Sequence, residues 1–470
     1  MGLLTISNFG SKVLSFLLVP LYTSLLTTSE YGTYDLYVVT ISLLTPILSL
    51  SIVNGVMRFT LDKDSDKTQT FSIGLVGSTR AVIIFIALVG INYIFNIIPT
   101  FNEYPLYFIL YFASSIYYNL IASFARGLDR VTDYAVAGLA DSAIMLSCNV
   151  LFLAVFHMGL SGYFLANCLS KIVPIIYLLL RLRAYKFIKL TNRDKALQKD
   201  MERYSKPLIF NTIAWWINNV SDRYIVTWLC GTSANGIYSV AYKIPSVINV
   251  FQSIFSEAWT LSAVKEYDEG SDDFYTEVYN LYNFGLVFVC SALIIADQLC
   301  AKILFAKDFY SAWQYAPFLM ISVLFGALSG LIGGIFSAAK DSKIFAKTTV
   351  VGACVNTVLN VVLVYFMGPV GAAIATLVSY FLVWIARVKS VKKLVTFNLN
   401  LKKDLCVYLL LLAQAIIMVT VNLFAVKYII EIIILIIIVF IYFKETKIYI
   451  QKIMDVLKKF FSKKSKDDVH

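Results

Sequence analysis

Apolar runs of about twenty residues recur along the whole of this 470-residue chain, and that is the length an α-helix needs to cross a hydrocarbon layer about 30 Å thick. Backbone N–H and C=O groups find no water inside a bilayer, so a spanning segment must be a helix or a strand of a closed barrel. The runs are continuous and lack two-residue alternation, which selects helices. Fourteen are read from the sequence: 5–26, 33–57, 73–98, 104–124, 134–156, 161–180, 208–229, 236–259, 281–300, 313–337, 348–366, 370–386, 405–425 and 428–443. The expected fold class is an all-α polytopic membrane protein with about fourteen transmembrane helices. Composition agrees: 59% of residues are hydrophobic and 15% are charged, against roughly 25% charged in a soluble domain.

A net charge of +11 would suit nucleic acid if the cations shared one soluble face. They do not. With the N-terminus inside, the connections 58–72, 125–133, 181–206, 260–280, 338–347, 387–404 and 444–470 hold 32 of the 40 Lys and Arg. The opposite connections hold Lys302, Lys307 and Lys427. This is the positive-inside asymmetry, and it expects both termini on the cytoplasmic side of an inner membrane. The basic charge is topological, and no nucleic-acid partner is expected.

Other chemistry is thinly represented. The seven cysteines fall in or beside spans with no CxxC pair, and read as small apolar residues. The two histidines, His157 and His470, form no HExxH, so no metal site is expected, and no P-loop is present. The Asn219-Val220-Ser221 sequon lies inside a span and is read as chance. The first apolar run lacks a basic leader and a cleavage site, so it reads as the first helix, not a removed signal. Outer connections are short, which leaves no room for the large external catalytic loop of an envelope polymerase or ligase. The segment 447–466 spaces apolar residues at helical intervals among lysines and reads as an interfacial helix on anionic lipid.

An internal repeat organises the chain. Asn8–Leu44 resembles Asn211–Ile248, with Gly32-Thr33-Tyr34 matched by Gly236-Ile237-Tyr238 at an offset of 204. Phe156–Gly162 resembles Tyr365–Gly371 at an offset of 209. Each copy spans six runs, an even number, so the copies share one orientation. The expected organisation is an N-terminal lobe 1–184, a basic connection 185–206, a C-terminal lobe 207–393, two appended helices 394–446 and a tail 447–470. In other words, two six-helix lobes precede two C-terminal helices.

Charges inside spans are costly, at least about 2.5–3.5 kcal/mol on insertion scales, and mark either pairs or wet cavities. The cations are Lys12, Arg80, Lys171, Arg223 and Lys243; the acids are Asp35, Asp141, Asp222, Glu257, Asp297 and Glu431. Spans ten to thirteen read as free of charge. Polar stripes accompany Lys12, Arg223 and Lys243 on spans one, seven and eight, which are expected to line a cavity across the lobe interface. Asp222 and Arg223 are neighbours in sequence and point about 100° apart on a helix, so one needs a partner elsewhere. Arg80 reads as snorkelling to the inner surface, Lys171 as pairing with Asp141, and Asp35, Asp297 and Glu431 as interfacial near outer ends.

A cavity with committed cations suits an anion such as the pyrophosphate of a lipid-linked sugar. Trp215, Trp216 and Tyr242 lie on the same spans and are candidates for stacking on sugar faces. Asp141 and Asp222 are candidates for ion coupling, driven by a proton or sodium gradient, with no bound cofactor.

The segment NFGSKVLSFLLVPLY from Asn8 to Tyr22, the run Glu30–Asp35, Arg58-Phe59, and NVSDRYIVTWLCGTSANGIYSVAY from Asn219 to Tyr242 together resemble the Wzx-type polysaccharide flippases. These form a branch of the multidrug/oligosaccharidyl-lipid/polysaccharide exporter superfamily, and the resemblance covers essentially the whole chain. It implies two six-helix lobes working by alternating access, and outward movement of undecaprenyl-pyrophosphate-linked repeat units for O-antigen or capsule. It adds Arg58 to Lys12, Arg223 and Lys243 as positions fitting a central basic pathway. The implied partners are the lipid-linked oligosaccharide, membrane lipids, a polysaccharide polymerase and a chain-length regulator, around a monomer that is not an enzyme. Two other classes fit the residues: a cation-coupled drug antiporter of the same superfamily, which would favour an acidic cavity, and a non-transporting scaffold of an envelope-assembly complex.

Overall fold

In the computed structural model, residues 2–445 and 447 are described, except 63, 190, 192–193, 270–273, 340 and 446. All regular structure among them is helical. The order is α1 (Gly2–Leu25), α2 (Thr28–Leu48), α3 (Ile52–Leu61), α4 (Lys67–Phe95), α5 (Pro105–Gly127), α6 (Val131–Asn149), α7 (Gly159–Arg181) and α8 (Lys195–Cys230). It continues with α9 (Thr232–Ala241), α10 (Ser246–Glu269), α11 (Phe274–Leu304), α12 (Ala316–Ala338), α13 (Ser342–Met367), α14 (Pro369–Val391), α15 (Leu401–Thr420) and α16 (Phe424–Ile441).

Every one of the fourteen apolar runs coincides with a helix or a broken pair of helices. Among the described residues ten helices are long and apolar enough to cross a membrane, eleven if the bent pair α2–α3 is one span. The chain is a multi-pass membrane protein. Helices α1, α8 and α10 fall outside that count, which covers the described residues alone; Phe16–Leu25 of α1 qualifies as a shorter apolar helix. The expected interfacial helix at 447–466 lies outside the described residues, apart from Lys447 itself.

Local chemistry sets the breaks. Thr27 caps α2 in a reciprocal box: its hydroxyl accepts from the Glu30 N–H at 3.2 Å, and the Glu30 carboxylate accepts from the Thr27 N–H at 2.8 Å. Pro46 lies near the end of α2, and Leu50 and Ser51 both adopt left-handed backbone, φ 53° and 51°. That is costly for residues with a Cβ, and it turns α3 by 61° from α2. Gly231, at φ +88°, makes the reversal from α8 into α9. Pro245 disfavours helix at the residue before it, and α9 stops at Ala241 with α10 starting at Ser246. A π-helical stretch, Val150–Val155, continues α6.

Two compact units emerge from packing. The first comprises residues 1–243, 302–312 and 353–372; the second comprises 244–301, 313–352 and 373–470. In the first, one apolar core gathers Ile52, Val56, Phe71, Phe124, Leu178 and Met201. A second, aromatic core stacks Phe85 on Phe112 at 4.0 Å and Tyr37 on Phe108 at 4.4 Å. In the second unit α12 is the most enclosed helix, with 78% of its apolar window buried. A polar network runs beside it: Tyr408 and Tyr442 join Asn283, and Tyr442 donates to Asp404 at 2.8 Å.

Burial of the charges goes further than the apolar runs suggest. Asp35, Asp297 and Glu431 are enclosed by the protein itself, at 6%, 0% and 0% exposure. Spans ten to thirteen, expected to be free of charge, gain one where a helix outruns its apolar stretch. The run ends at 386 but α14 continues to Val391, and Arg387 is buried in it. Its guanidinium donates to the Ser329 carbonyl and to the Thr348 and Thr349 hydroxyls and lies over the Phe345 ring.

Candidate functional site

The site grows out of the crossing of α2 and α9 in the first unit. Gly32 and Gly236 let the two backbones touch, and the flanking hydroxyls pair across the seam. Thr28 meets Ser233 at 2.7 Å and Ser29 meets Thr232 at 3.0 Å. Close approach through small residues is how helices associate without a hydrophobic drive inside a bilayer. Both glycines lie in the two segments, Asn8–Leu44 and Asn211–Ile248, that resemble each other in sequence.

Beneath the seam the charges converge. The Arg223 guanidinium, from α8, donates through Nη1 to Asp35 Oδ1 on α2 at 2.5 Å. Asn235 on α9 donates to Asp35 Oδ2 at 3.4 Å and to the Gly32 carbonyl at 3.2 Å. Asp222 takes a different set of donors: the Tyr238 hydroxyl at 2.6 Å and the Tyr242 hydroxyl at 2.8 Å, both onto Oδ2. The Arg223 guanidinium also sits 5.4 Å from the centre of the Tyr242 ring, a cation–π contact. The adjacent Asp222 and Arg223 thus find separate partners, as their 100° divergence requires.

Lys243 lies in the break between α9 and α10, half-buried, and its charge reaches Asp35. With two carboxylates, Arg223 and Lys243, the cluster is formally neutral. One capacity is unused: Arg223 Nε has no hydrogen-bond partner although it is buried. A guanidinium held on one edge with a second edge free can add one charge-assisted bond to an anionic oxygen without releasing its acid.

The other candidates lie elsewhere. Arg58 is exposed at the end of α3 and pairs with Asp62 at 2.5 Å. Asp141 on α6 forms an ion pair with Lys171 on α7, whose ammonium lies 5.0 Å from the Tyr118 ring centre. Trp215 is 60% exposed. Trp216 is buried and donates to the Val39 carbonyl at 3.0 Å, tying α8 to α2. Arg80 is exposed and lines a cavity with Glu202 at the bend of α2 and α3. The Lys12 and Glu257 side chains lie outside the described residues. Three members of the cluster, Asp35, Asn235 and Tyr238, were not anticipated as site residues.

Comparison with known proteins places this arrangement. The profile of the family described as polysaccharide biosynthesis protein matches residues 1–260, a stretch that contains the whole cluster. Multidrug and toxin extrusion protein 1 of Rattus norvegicus is 22% identical over 313 residues, covering 61% of this chain and 54% of that protein. The probable low-salt glycan biosynthesis flippase Agl15 of Haloferax volcanii is 23% identical over 191 residues, 39% of each chain. The matched stretches thus span about half or less of these relatives' own lengths. In fold, the lipid II flippase MurJ in an inward closed conformation superposes with a TM-score of 0.69 at 14% identity, over 97% of this chain and 100% of that one. The chain belongs to the polysaccharide biosynthesis protein family.

Proposed function

We propose that this protein is a flippase that moves undecaprenyl-pyrophosphate-linked oligosaccharide repeat units from the inner to the outer leaflet of the cytoplasmic membrane by alternating access, supplying surface polysaccharide assembly. The observation that carries the reading is the buried Arg223, held to Asp35 by one edge with its Nε–H uncommitted, in a chain of a polysaccharide-synthesis family. A pyrophosphate presents oxygens that such an edge binds, and Lys243 adds a second cation to the same cluster. Lys12 belongs to the proposed pathway through its place on the polar stripe of α1, and Arg58 through the family resemblance. Trp215 and Tyr242 are the proposed sugar-stacking surfaces; Trp216 is committed to α2. A polymerase and a chain-length regulator are the proposed partners of a monomer with cytoplasmic termini.

The likeness to a multidrug and toxin extrusion protein supports a second reading, cation-coupled drug export, because Asp35 and Asp222 would attract an organic cation once Arg223 moved. Reconstituted vesicles separate the two. Fluorescent undecaprenyl-pyrophosphate oligosaccharide should become accessible to an impermeant quencher on the opposite leaflet, and a Lys12, Arg223, Lys243 triple-Gln variant should abolish that while remaining inserted. Full flipping by the triple variant, or ethidium transport without lipid flipping, would overturn the flippase reading.

A further inference from the structure

Among the described buried acids of the second unit, Asp404 and Glu445 have donors, whereas two others have none and no part in the proposed pathway. Asp297 on α11 and Glu431 on α16 are both 0% exposed, and none of their four carboxylate oxygens has a hydrogen-bond partner. Each lies about two turns inside its helix, from Leu304 and from Phe424 respectively. A carboxylate left in that condition is among the most expensive groups a membrane interior can hold.

The surroundings define the state that relieves it. The Lys427 ammonium, 4% exposed, donates to Gln298 Oε1 at 3.0 Å, between the rings of Trp313 and Tyr428 at 5.7 Å each. It forms no ion pair within 4.0 Å of either acid, yet its charge reaches both. The other ionisable group whose interaction reaches Asp297 is the Cys300 thiol on the same helix. From α15, Gln414 faces Glu431 and donates to its backbone carbonyl at 3.3 Å; it is neutral and is itself held by Ser291. Two carboxylates against one ammonium leave one uncompensated negative charge, and a single proton cancels it.

We propose that Asp297 and Glu431, with Lys427, form a proton-binding site of the second unit, in which one of the two acids holds a proton and Lys427 balances the other. The site is distinct from Asp141 and Asp222, which already have donors. It rests on the transport reading only in its consequence: a proton taken up there is available to couple a gradient to transport.

Proton occupancy is tested without any transport substrate. The full-length protein in lipid nanodiscs should show, by infrared difference spectroscopy at neutral pH, a protonated-carboxyl band that exchanges in deuterated water. Asp297→Asn or Glu431→Gln should each remove it, because one acid then balances Lys427. Asp222→Asn should leave it in place. Lys427→Met should strengthen it, since the second acid loses its counter-charge. A band unchanged in both acid variants would overturn the site, as would a band that disappears on adding sodium at constant pH. In vesicles that flip the labelled lipid, Asp297→Asn should lose acceleration by a pH gradient while keeping gradient-free exchange. Retained acceleration would overturn the coupling role. Absence of flipping by the unaltered protein would sink the flippase reading and leave the infrared result standing.

Discussion

Gly32 and Gly236 oppose each other reciprocally across the α2–α9 crossing. A methyl group on Gly32 would sit 2.0 Å from the Thr232 carbonyl oxygen, and one on Gly236 would sit 1.9 Å from that of Thr28. Each glycine faces the residue four positions before the other, so the contact has the self-complementary form of a twofold relation, here within one chain. Both obstacles are backbone, and backbone cannot swing aside as a side chain can. Gly32→Ala and Gly236→Ala should therefore separate the helices. Overpacking costs about 1–3 kcal/mol in well-packed cores, and these variants should fall at the upper end, seen as lowered membrane abundance and thermal stability in detergent. Gly90→Ala is the control, because nothing lies within 4 Å of its added carbon. Equal stability of the three variants would refute the close crossing.

The Arg223–Asp35 pair joins α8 to α2 across 188 residues of sequence. Arg223→Gln leaves Asp35 buried with Asn235 still donating to its other oxygen, and removing one partner of a buried pair costs about 3–5 kcal/mol. Asp35→Asn together with Arg223→Gln should recover most of that stability, because neither charge remains uncompensated. Recovery of abundance without recovery of polymer at the cell surface is the expected result if Arg223 also touches substrate. Recovery of both would reduce Arg223 to a structural role. Arg223→Lys should give partial export, since an ammonium lacks the free Nε edge and the planar face set over Tyr242.

Much of this was legible in the residues, and the failures have physical causes. The helices could be read because each apolar run must satisfy its own backbone in hydrocarbon. The sequence match at an offset of 204 singled out Gly32 and Gly236 as equivalent positions, but not that they meet. That Asp222 and Arg223 need separate partners followed from helix geometry alone. That Arg223 chooses Asp35 did not, since a distant pairing leaves no periodic trace. Enclosure was not legible where helices outrun their apolar stretch: Arg387 lay outside its run and is buried, and nothing in the periodicity shows that Asp297 and Glu431 are wholly enclosed. Trp216 looked like a sugar platform, but its indole N–H is spent on the Val39 carbonyl.

The expected topology is open to direct labelling. On a background lacking the seven native cysteines, Lys195→Cys should resist an impermeant maleimide in intact cells and react after permeabilisation. Lys307→Cys should react in intact cells. These outcomes follow from the 32 cations in alternate connections. Labelling of Lys195→Cys from outside would invert the arrangement and with it the direction of transport.

Asp222 offers the last test, because two phenols share one of its oxygens. Tyr238 and Tyr242 both donate to Oδ2, and their hydroxyls lie 3.3 Å apart. A hydrogen bond to a charged group contributes about 1.5–3 kcal/mol, so Tyr238→Phe and Tyr242→Phe should each destabilise the protein by roughly that amount. Tyr238 is fully buried, so it should sit at the higher end. The pair should not be additive: in either single variant the surviving hydroxyl donates to Asp222 undivided, and the double variant loses both at once. The double variant should therefore cost more than the sum of the singles. Adding Asp222→Asn to the double variant should recover stability, because the neutral amide tolerates the missing donors better than a buried carboxylate. Thermal unfolding of the set in one detergent measures the cycle. If Asp141→Asn and Asp222→Asn also retain gradient-driven flipping, neither acid is the coupling group. A strictly additive cycle would show that the two tyrosines do not act on Asp222 as one unit.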